Sequence, residues 1–194
     1  SMLSSATGTD TITLTDNSTI NAGTNSTFAG TLDVAAGKKL TYGSAQGGSL
    51  SLESATVQLN KDSQLYVHAH GAKLGVLDVQ DNANWWMEDS NGQSSPALTI
   101  GEVRIAAGKT LQGKTNWEGM ITFDNLNAEG HLDLIKGAYT DSIVNINAIE
   151  ASGNISIAGK NGVLTLGAGA DSVLTLGGNV TADESKINIK GQLA

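Results

Sequence analysis

Apolar side chains alternate with small or polar ones in many short stretches, as in residues 163–166 (VLTL) and their copy at 173–176. Successive side chains of a strand point to opposite faces, so this alternation buries one face and exposes the other. Gly, Asn, Asp and Ser separate the stretches and favour tight turns. Further strands are expected at Thr11–Leu14, Ser49–Leu52, Thr56–Leu59, Gln64–Val67, Ala97–Ile100, Ile121–Phe123, Ile143–Ile146, Ile155–Ile157 and Lys186–Ile189. No segment keeps a helical period, and the pattern predicts an all-β fold.

The chain also repeats itself. Residues 32–40 (LDVAAGKKL) return as residues 103–111 (VRIAAGKTL). The separation is about three repeats of the 20 to 29 residues that are typical of solenoids. A shorter phrase of the same kind occurs at residues 77–79 (LDV) and 132–134 (LDL). The repetition is degenerate, but it recurs along most of the chain.

Many short strands with tight turns suit either a β-sandwich of antiparallel strands or a β-solenoid of parallel strands. A sandwich gives no reason for a strand-turn-strand unit to return nearly unchanged, whereas a solenoid places that unit at the same corner of successive rungs. We therefore expect a parallel β-helix with about 22 residues per rung and about eight or nine rungs. The left-handed hexapeptide solenoid is disfavoured because no six-residue apolar period is present.

Composition and charge narrow the functional classes. Aromatic residues make up only 4% of the chain, and the formal charge is −8 with Arg104 as its sole arginine. Such a chain is not expected to bind nucleic acid. The absence of cysteine excludes a disulfide scaffold and a thiolate zinc site. We take residues 1–194 as one β-solenoid domain, and the opening Ser1–Met2 indicates a fragment excised from a longer protein.

The phrases at residues 32–40, 103–113 and 162–167 combine Leu-x-Val, small residues, glycine and leucine. In this they resemble the rungs of autotransporter passenger domains from Gram-negative bacteria, over most of the chain except residues 81–97. The resemblance implies a right-handed parallel β-helix displayed at the cell surface after export across the outer membrane. It also implies a β-barrel translocator encoded outside the present sequence.

His68 and His70 stand two residues apart after a strand, on one face, which is the beginning of a zinc or copper site. A further ligand would have to come from His131 or Asp78 in an aligned rung. Exposed polar residues at a rung edge are the simpler interpretation. We therefore expect neither a metal site nor a cofactor.

The motifs of known β-helix enzymes are missing from the sequence. The polygalacturonase motifs do not occur, and the only arginine available to a lyase, Arg104, takes the place of Asp33 in the repeated phrase. Residues 170–173 (ADSV) lack the glycines that flank the serine of passenger proteases. We expect no catalytic residue. The alternative is a polysaccharide-active β-helix whose catalytic carboxylates lie on neighbouring rungs.

Residues 81–97 lack the repeat pattern and contain two of the three tryptophans and the only proline. We predict that this segment is an insertion that protrudes from the solenoid. Trp85 and Trp86 are adjacent, so an extended chain buries only one of them and leaves the other for a partner. The alternative is that both pack against the solenoid wall. The candidate ligand-contact loop comprises Trp85, Trp86, Glu88, Asp89 and Asn91.

Together these observations predict a non-catalytic adhesin or self-association module of a secreted passenger. Its expected partners are other copies on neighbouring cells, or glycans and proteins of a host surface. Stacked faces rich in Thr, Ser, Asn and Asp can form many hydrogen bonds of about 1 kcal/mol each, so that adhesion depends on their number.

Overall fold

The computed structural model describes residues 10–43, 50–88, 96–115, 119–136, 143–169 and 172–194. These residues form β-strands and no helix, so no helix among them is long and apolar enough to cross a membrane. The strands are β1 (Thr11–Leu14), β2 (Ser18–Thr27), β3 (Thr31–Val34), β4 (Lys39–Gly43), β5 (Leu50–Leu59), β6 (Gln64–Val67), β7 (His70–Val79), β8 (Ala83–Met87), β9 (Ala97–Ile105), β10 (Thr110–Thr115), β11 (Met120–Ala128), β12 (His131–Lys136), β13 (Ile143–Ala151), β14 (Ile155–Ala158), β15 (Val163–Leu166), β16 (Val173–Leu176), β17 (Val180–Asp183), β18 (Lys186–Ile189) and β19 (Gln192–Leu193).

The strands wind into a right-handed parallel β-helix with three faces, which confirms the predicted fold class. The first face contains β1, β3, β16, β19 and the C-terminal halves of β5, β7, β9, β11 and β13. The second face contains the start of β2 followed by β4, β6, β8, β10, β12, β14 and β17. The third contains the end of β2, the N-terminal halves of the five long strands, β15 and β18. The described residues make about seven turns, slightly fewer than the eight or nine rungs expected.

One hydrophobic core runs along the axis of the solenoid and is filled from all three faces. The alternation within the repeated phrases predicts ten inward apolar side chains, and nine of them are at most 2% exposed: Leu32, Val34, Leu40, Val103, Ile105, Leu111, Leu164, Leu166 and Leu174. The tenth, Leu176, is partly buried and packs against the core. Each inner side chain stacks on its equivalents above and below, so every rung depends on its neighbours for burial.

The two copies of the repeated phrase lie three turns apart at the same corner of the solenoid. Asp33 and Arg104 occupy one outward column of the first face, with two further rungs between them. Each phrase turns the corner through a glycine of positive φ, 72° at Gly37 and 73° at Gly108. Glycine adopts this conformation without steric cost. The predicted rung repeat is confirmed, and Arg104 lies on an exposed strand face.

The predicted insertion over residues 81–97 is wrong for its central part. Ala83–Met87 form β8, which pairs in parallel with β6 and β10 as an ordinary strand of the second face. The segment stays in the solenoid because its three inward side chains, Trp85 and Met87 among them, are buried while its backbone completes the ladder. Residues 89–95 lie outside the described part of the chain.

Trp85 is the largest fully buried side chain among the described residues, and it packs against Gly113 in the next rung. A Cβ atom at Gly113 would collide with the indole ring. The same ring meets Phe123 edge to face, with 5.5 Å between the ring centroids. The inward column reads Leu40, Leu65, Trp85, Gly113 and Leu134. Gly113 therefore leaves space in its own rung, and the side chain of Trp85 in the preceding rung fills that space.

Side chains at the corner between the first and second faces connect successive rungs. Asn82 Oδ1 accepts a hydrogen bond from the Thr110 backbone N–H at 2.9 Å, and Asn154 Oδ1 accepts one from Asn179 at 3.0 Å. His131 acts in the same way, because its Nδ1 accepts the Asn154 backbone N–H at 2.9 Å. These bonds satisfy backbone donors where the chain turns between two faces.

Replacing Asn154 by alanine is expected to lower the free energy of unfolding by about 1 kcal/mol, because the Asn179 N–H loses its acceptor. Asn154→Asp is the matched control, since it keeps an oxygen acceptor at the same place. Urea unfolding followed by circular dichroism measures both. If the alanine variant is as stable as the parent, water replaces this bond at no cost and the corner bonds do not stabilise the stack.

Candidate functional site

Two columns of outward side chains cross the second face of the solenoid. The aromatic column consists of Thr41, Tyr66, Trp86 and Lys114 on strands β4, β6, β8 and β10. The amide column consists of Gln64, Asn84 and Gln112, and Lys39 precedes it on β4. Neighbouring rungs are about 4.8 Å apart, and the two columns are about 7 Å apart because one inward residue separates them. We call the two columns together, with Lys39, His68 and Glu88, the second-face patch.

The aromatic rings of the patch pack edge to face. The ring centroids of Tyr66 and Trp86 are 5.9 Å apart at an interplanar angle of 83°, and those of Tyr66 and His68 are 4.3 Å apart at 85°. Each large ring also lies under a lysine: Lys39 Nζ is 5.0 Å from the centroid of Tyr66, and Lys114 Nζ is 4.7 Å from that of Trp86. These distances fall within the range of cation–π attraction. The patch is therefore an ordered cluster of rings and ammonium groups.

Glu88 directly follows β8 and acts on the hydroxyl group of Tyr66. Burial raises the pKa of Tyr66, and Glu88 raises it further through its negative charge and its hydrogen bond to the hydroxyl. The phenol consequently remains protonated at neutral pH and donates to the carboxylate. The carboxylate of Glu88 is therefore hydrogen-bonded to a neutral group, the Tyr66 hydroxyl.

Trp86 offers its ring carbons, and not its N–H group, to a partner. Its side chain is half-buried on the outer surface, but its Nε1 atom is covered and has no hydrogen-bond partner among the described residues. A partner would therefore contact this indole through apolar contact and ring-face attraction. Aromatic rings of this kind contribute much of the energy at many binding surfaces.

The amide column supplies hydrogen-bonding groups next to the rings. Asn84 and Gln112 line a cleft of about 240 Å³ that extends to Asn82, Thr110 and Asp62 at the corner of the solenoid. Each amide side chain presents both donors and an acceptor. The patch thus combines apolar ring surface with groups that can bond hydroxyls, on strands whose backbone is already paired.

The structure divides the five predicted contact residues into three groups. Trp85 is 1% exposed and belongs to the core, whereas Trp86 and Glu88 lie on the second-face patch. Asp89 and Asn91 lie outside the described residues. The expectation that only one of the two adjacent tryptophans is buried is confirmed. Contact with a ligand remains a prediction.

The sequence does not show that Tyr66, Lys114 and the three amides lie beside Trp86. These residues are distant in sequence and become neighbours only through the stacking register. The available signal was the strand predicted at residues 64–67, whose outward positions are Gln64 and Tyr66. Aligning residues 83–87 with that strand would have placed Asn84 and Trp86 beside them.

The histidines considered as metal ligands do not converge. Asp78 lies on the first face, and His131 accepts a backbone hydrogen bond at a corner. His68 contacts the ring of Tyr66 on the second face. Within the described ranges, no group of three His, Cys, Asp or Glu side chains is arranged to hold a metal ion.

A groove of about 480 Å³ on the first face contains Glu102 and Glu150, the kind of carboxylates that a glycan-cleaving enzyme would need. The hydrogen bond from Arg104, at 2.8 Å between Nη2 and Oε2, lowers the pKa of Glu102. A general acid needs the opposite shift, because it must hold a proton near neutral pH. Glu102 is therefore held as a carboxylate, which gives no support to the role of general acid.

The fold and the second-face patch define a β-solenoid with an ordered aromatic and amide surface on one wall. No protein-family model, curated protein or solved structure matches the chain.

Proposed function

We propose that the chain is a non-catalytic adhesion module of a surface-exposed autotransporter passenger and that the second-face patch is its contact surface. The supporting observation is that Tyr66, Trp86 and Lys114 align in register across three neighbouring rungs, beside a parallel column of amides. In this proposal the passenger is exported through an outer-membrane barrel encoded outside the present sequence. Its partners are other copies of the chain or molecules of a host surface.

The patch has the properties of a recognition surface. Half-buried rings combine apolar area with side chains already fixed by packing, so little conformational entropy is lost when a partner binds. The amides and ammonium groups around them supply direction through hydrogen bonds. In a displayed solenoid, many copies act at once, so modest affinity for each copy still produces firm attachment.

Trp86→Thr is expected to reduce attachment about tenfold while changing the melting temperature little. Threonine is a conservative choice because Thr41 occupies the same outward column. Beads coated with the full chain would be scored for attachment to a panel of host cells and for clumping with one another. Thermal unfolding measured by circular dichroism reports on the fold.

Met120→Thr is the matched control, since Met120 is an exposed apolar side chain, 41% accessible, on the third face. It should attach like the parent. If Trp86→Thr attaches as well as the control in every assay, the second-face patch is not the contact surface and the proposal is wrong.

A further inference from the structure

We propose that the ligand of the second-face patch is an anionic glycan, a sugar chain that bears carboxylate or sulfate groups. This inference rests on the proposed function, because it names the partner of the same surface. It follows from three properties of the patch: two lysine ammonium groups over the rings, ring carbons facing outward, and a column of amides alongside.

The two lysines of the patch favour an anionic ligand. The ion pairs found among the described residues join Lys73 to Glu53, Arg104 to Glu102 and Lys109 to Asp81, and none of them includes Lys39 or Lys114. Both of these ammonium groups lie over aromatic rings instead. A cation held against a ring keeps its charge and can still bind an anion on its outer side.

None of the acidic groups near the patch forms an ion pair with Lys39 or Lys114 within the described part of the chain. Glu88 is engaged by the Tyr66 hydroxyl. Asp133 continues the amide column one rung beyond Gln112 and accepts a hydrogen bond from Ser156 at 2.9 Å. Asp62 lies at the far side of the corner cleft. Two ammonium groups therefore flank the rings on a chain whose overall formal charge is −8.

The shape and chemistry of the patch favour a sugar. The C–H face of a pyranose ring packs on aromatic carbons, and Trp86 offers ring carbons and no accessible N–H. The hydroxyls at the edge of the sugar would bond the amides of Gln64, Asn84 and Gln112 in the neighbouring column. An acidic substituent would then reach Lys114 or Lys39.

The same features disfavour other anions. A polyphosphate chain has no C–H ring face to pack on Trp86, and Arg104, the only arginine of the sequence, lies on the first face and does not reach this patch. An acidic peptide cannot add as a strand here, since β6 and β10 already pair with β8 on both sides. A sugar chain is the anionic ligand that uses the rings, the amides and the lysines together.

Binding of the full chain to immobilised short oligogalacturonate is expected, with affinity at least tenfold lower for the fully methyl-esterified oligomer. The ester keeps the sugar and removes only the charge. Lys114→Gln and Lys39→Gln should each weaken binding to the acidic oligomer about fivefold, and raised salt should weaken it further. Lys73→Gln, on another part of the surface, is the matched control and should bind like the parent. Dextran sulfate compared with dextran tests the sulfated form of the same chemistry, and preference for the sulfated polymer also supports the inference.

Three outcomes would overturn the inference. Equal affinity for the acid and the ester would show a neutral-glycan surface, and the adhesion proposal would stand. Equal affinity for polyglutamate and oligogalacturonate would show that charge alone is recognised. Absence of glycan binding, combined with bead attachment that still depends on Trp86, would indicate a protein partner. Only the loss of that dependence on Trp86 would remove the proposed function as well.

Discussion

Leu166→Asp is expected to destabilise the solenoid by about 4 kcal/mol or more and to lower its melting temperature sharply. Leu166 is fully buried on the third face, in the inward column that contains Ile100, Phe123 and Ile146. An aspartate there has no partner among these side chains, so it must either remain charged in an apolar stack or take up a proton. Chemical and thermal unfolding followed by circular dichroism measure the loss.

The control for this change is Ile143→Asp, because Ile143 lies on the same face in the adjacent rung and is 38% exposed. It introduces the same group at a position that water can reach, and we expect a much smaller loss of stability. If Leu166→Asp unfolds at the same temperature as the parent or as this control, the assigned rung register is wrong.

A second large effect is expected where Trp85 and Gly113 share space. Gly113→Leu places a side chain against the indole and should cost about 3 kcal/mol through overpacking. Trp85→Leu leaves the space above Gly113 unfilled and should cost about 3 kcal/mol through lost contacts and a cavity. The combined Trp85→Leu and Gly113→Leu variant makes this stretch of the inward column leucine throughout. It should recover about 2 kcal/mol relative to the sum of the two single changes.

Urea unfolding of the parent, the two single variants and the combined variant forms the double-mutant cycle. If the losses in free energy of unfolding are additive, the indole ring of Trp85 and Gly113 do not share the same space, and the prediction is wrong. Gly37→Ala is the reference for a glycine substitution that causes no collision, because a Cβ atom at Gly37 meets no neighbour. Its cost in stability comes from the backbone alone, since the φ of Gly37 is 72°.

The class of fold could be predicted because the residues that define it are local. Each of the segments Leu32–Leu40 and Val103–Leu111 contains the end of one strand, a corner and the start of the next strand within nine residues. Five of the nine residues are identical, which indicates equivalent places in a repeating structure. The inward leucines follow from alternation alone. The fold class could be predicted from two observations alone: the alternation of inward and outward residues within each strand, and the recurrence of the repeated phrase.

Strand β8 was not predicted, and the reason lies in one residue. Its inward positions, Ala83, Trp85 and Met87, follow the usual alternation, but the outward position between the last two is Trp86. An aromatic residue on the solvent side conceals the period of two. The residue that breaks the rule is also the one at the candidate site, as expected where function and folding place different demands on a position.

The columns of the patch could not be predicted because they depend on how rungs align. The intervals from Tyr66 to Trp86 and from Trp86 to Lys114 are unequal, since the chain between successive strands of one face varies in length. Alternation shows which side of a strand faces water, but it does not show which outward side chain of the next rung will lie beside it. Backbone pairing in three dimensions determines that register.

The position of the patch on strands, and not on loops, has a consequence for selectivity. Backbone hydrogen bonds hold Tyr66, Trp86 and Lys114 at a fixed interval of one rung, about 4.8 Å. The surface cannot stretch or contract to suit a polymer, so a chain whose chemical repeat differs from this interval loses alignment after a few units. If the patch binds a polymer as proposed, discrimination by repeat length is a property of the solenoid backbone itself. Exchanging side chains would then change which chemical groups bind without changing the spacing between them.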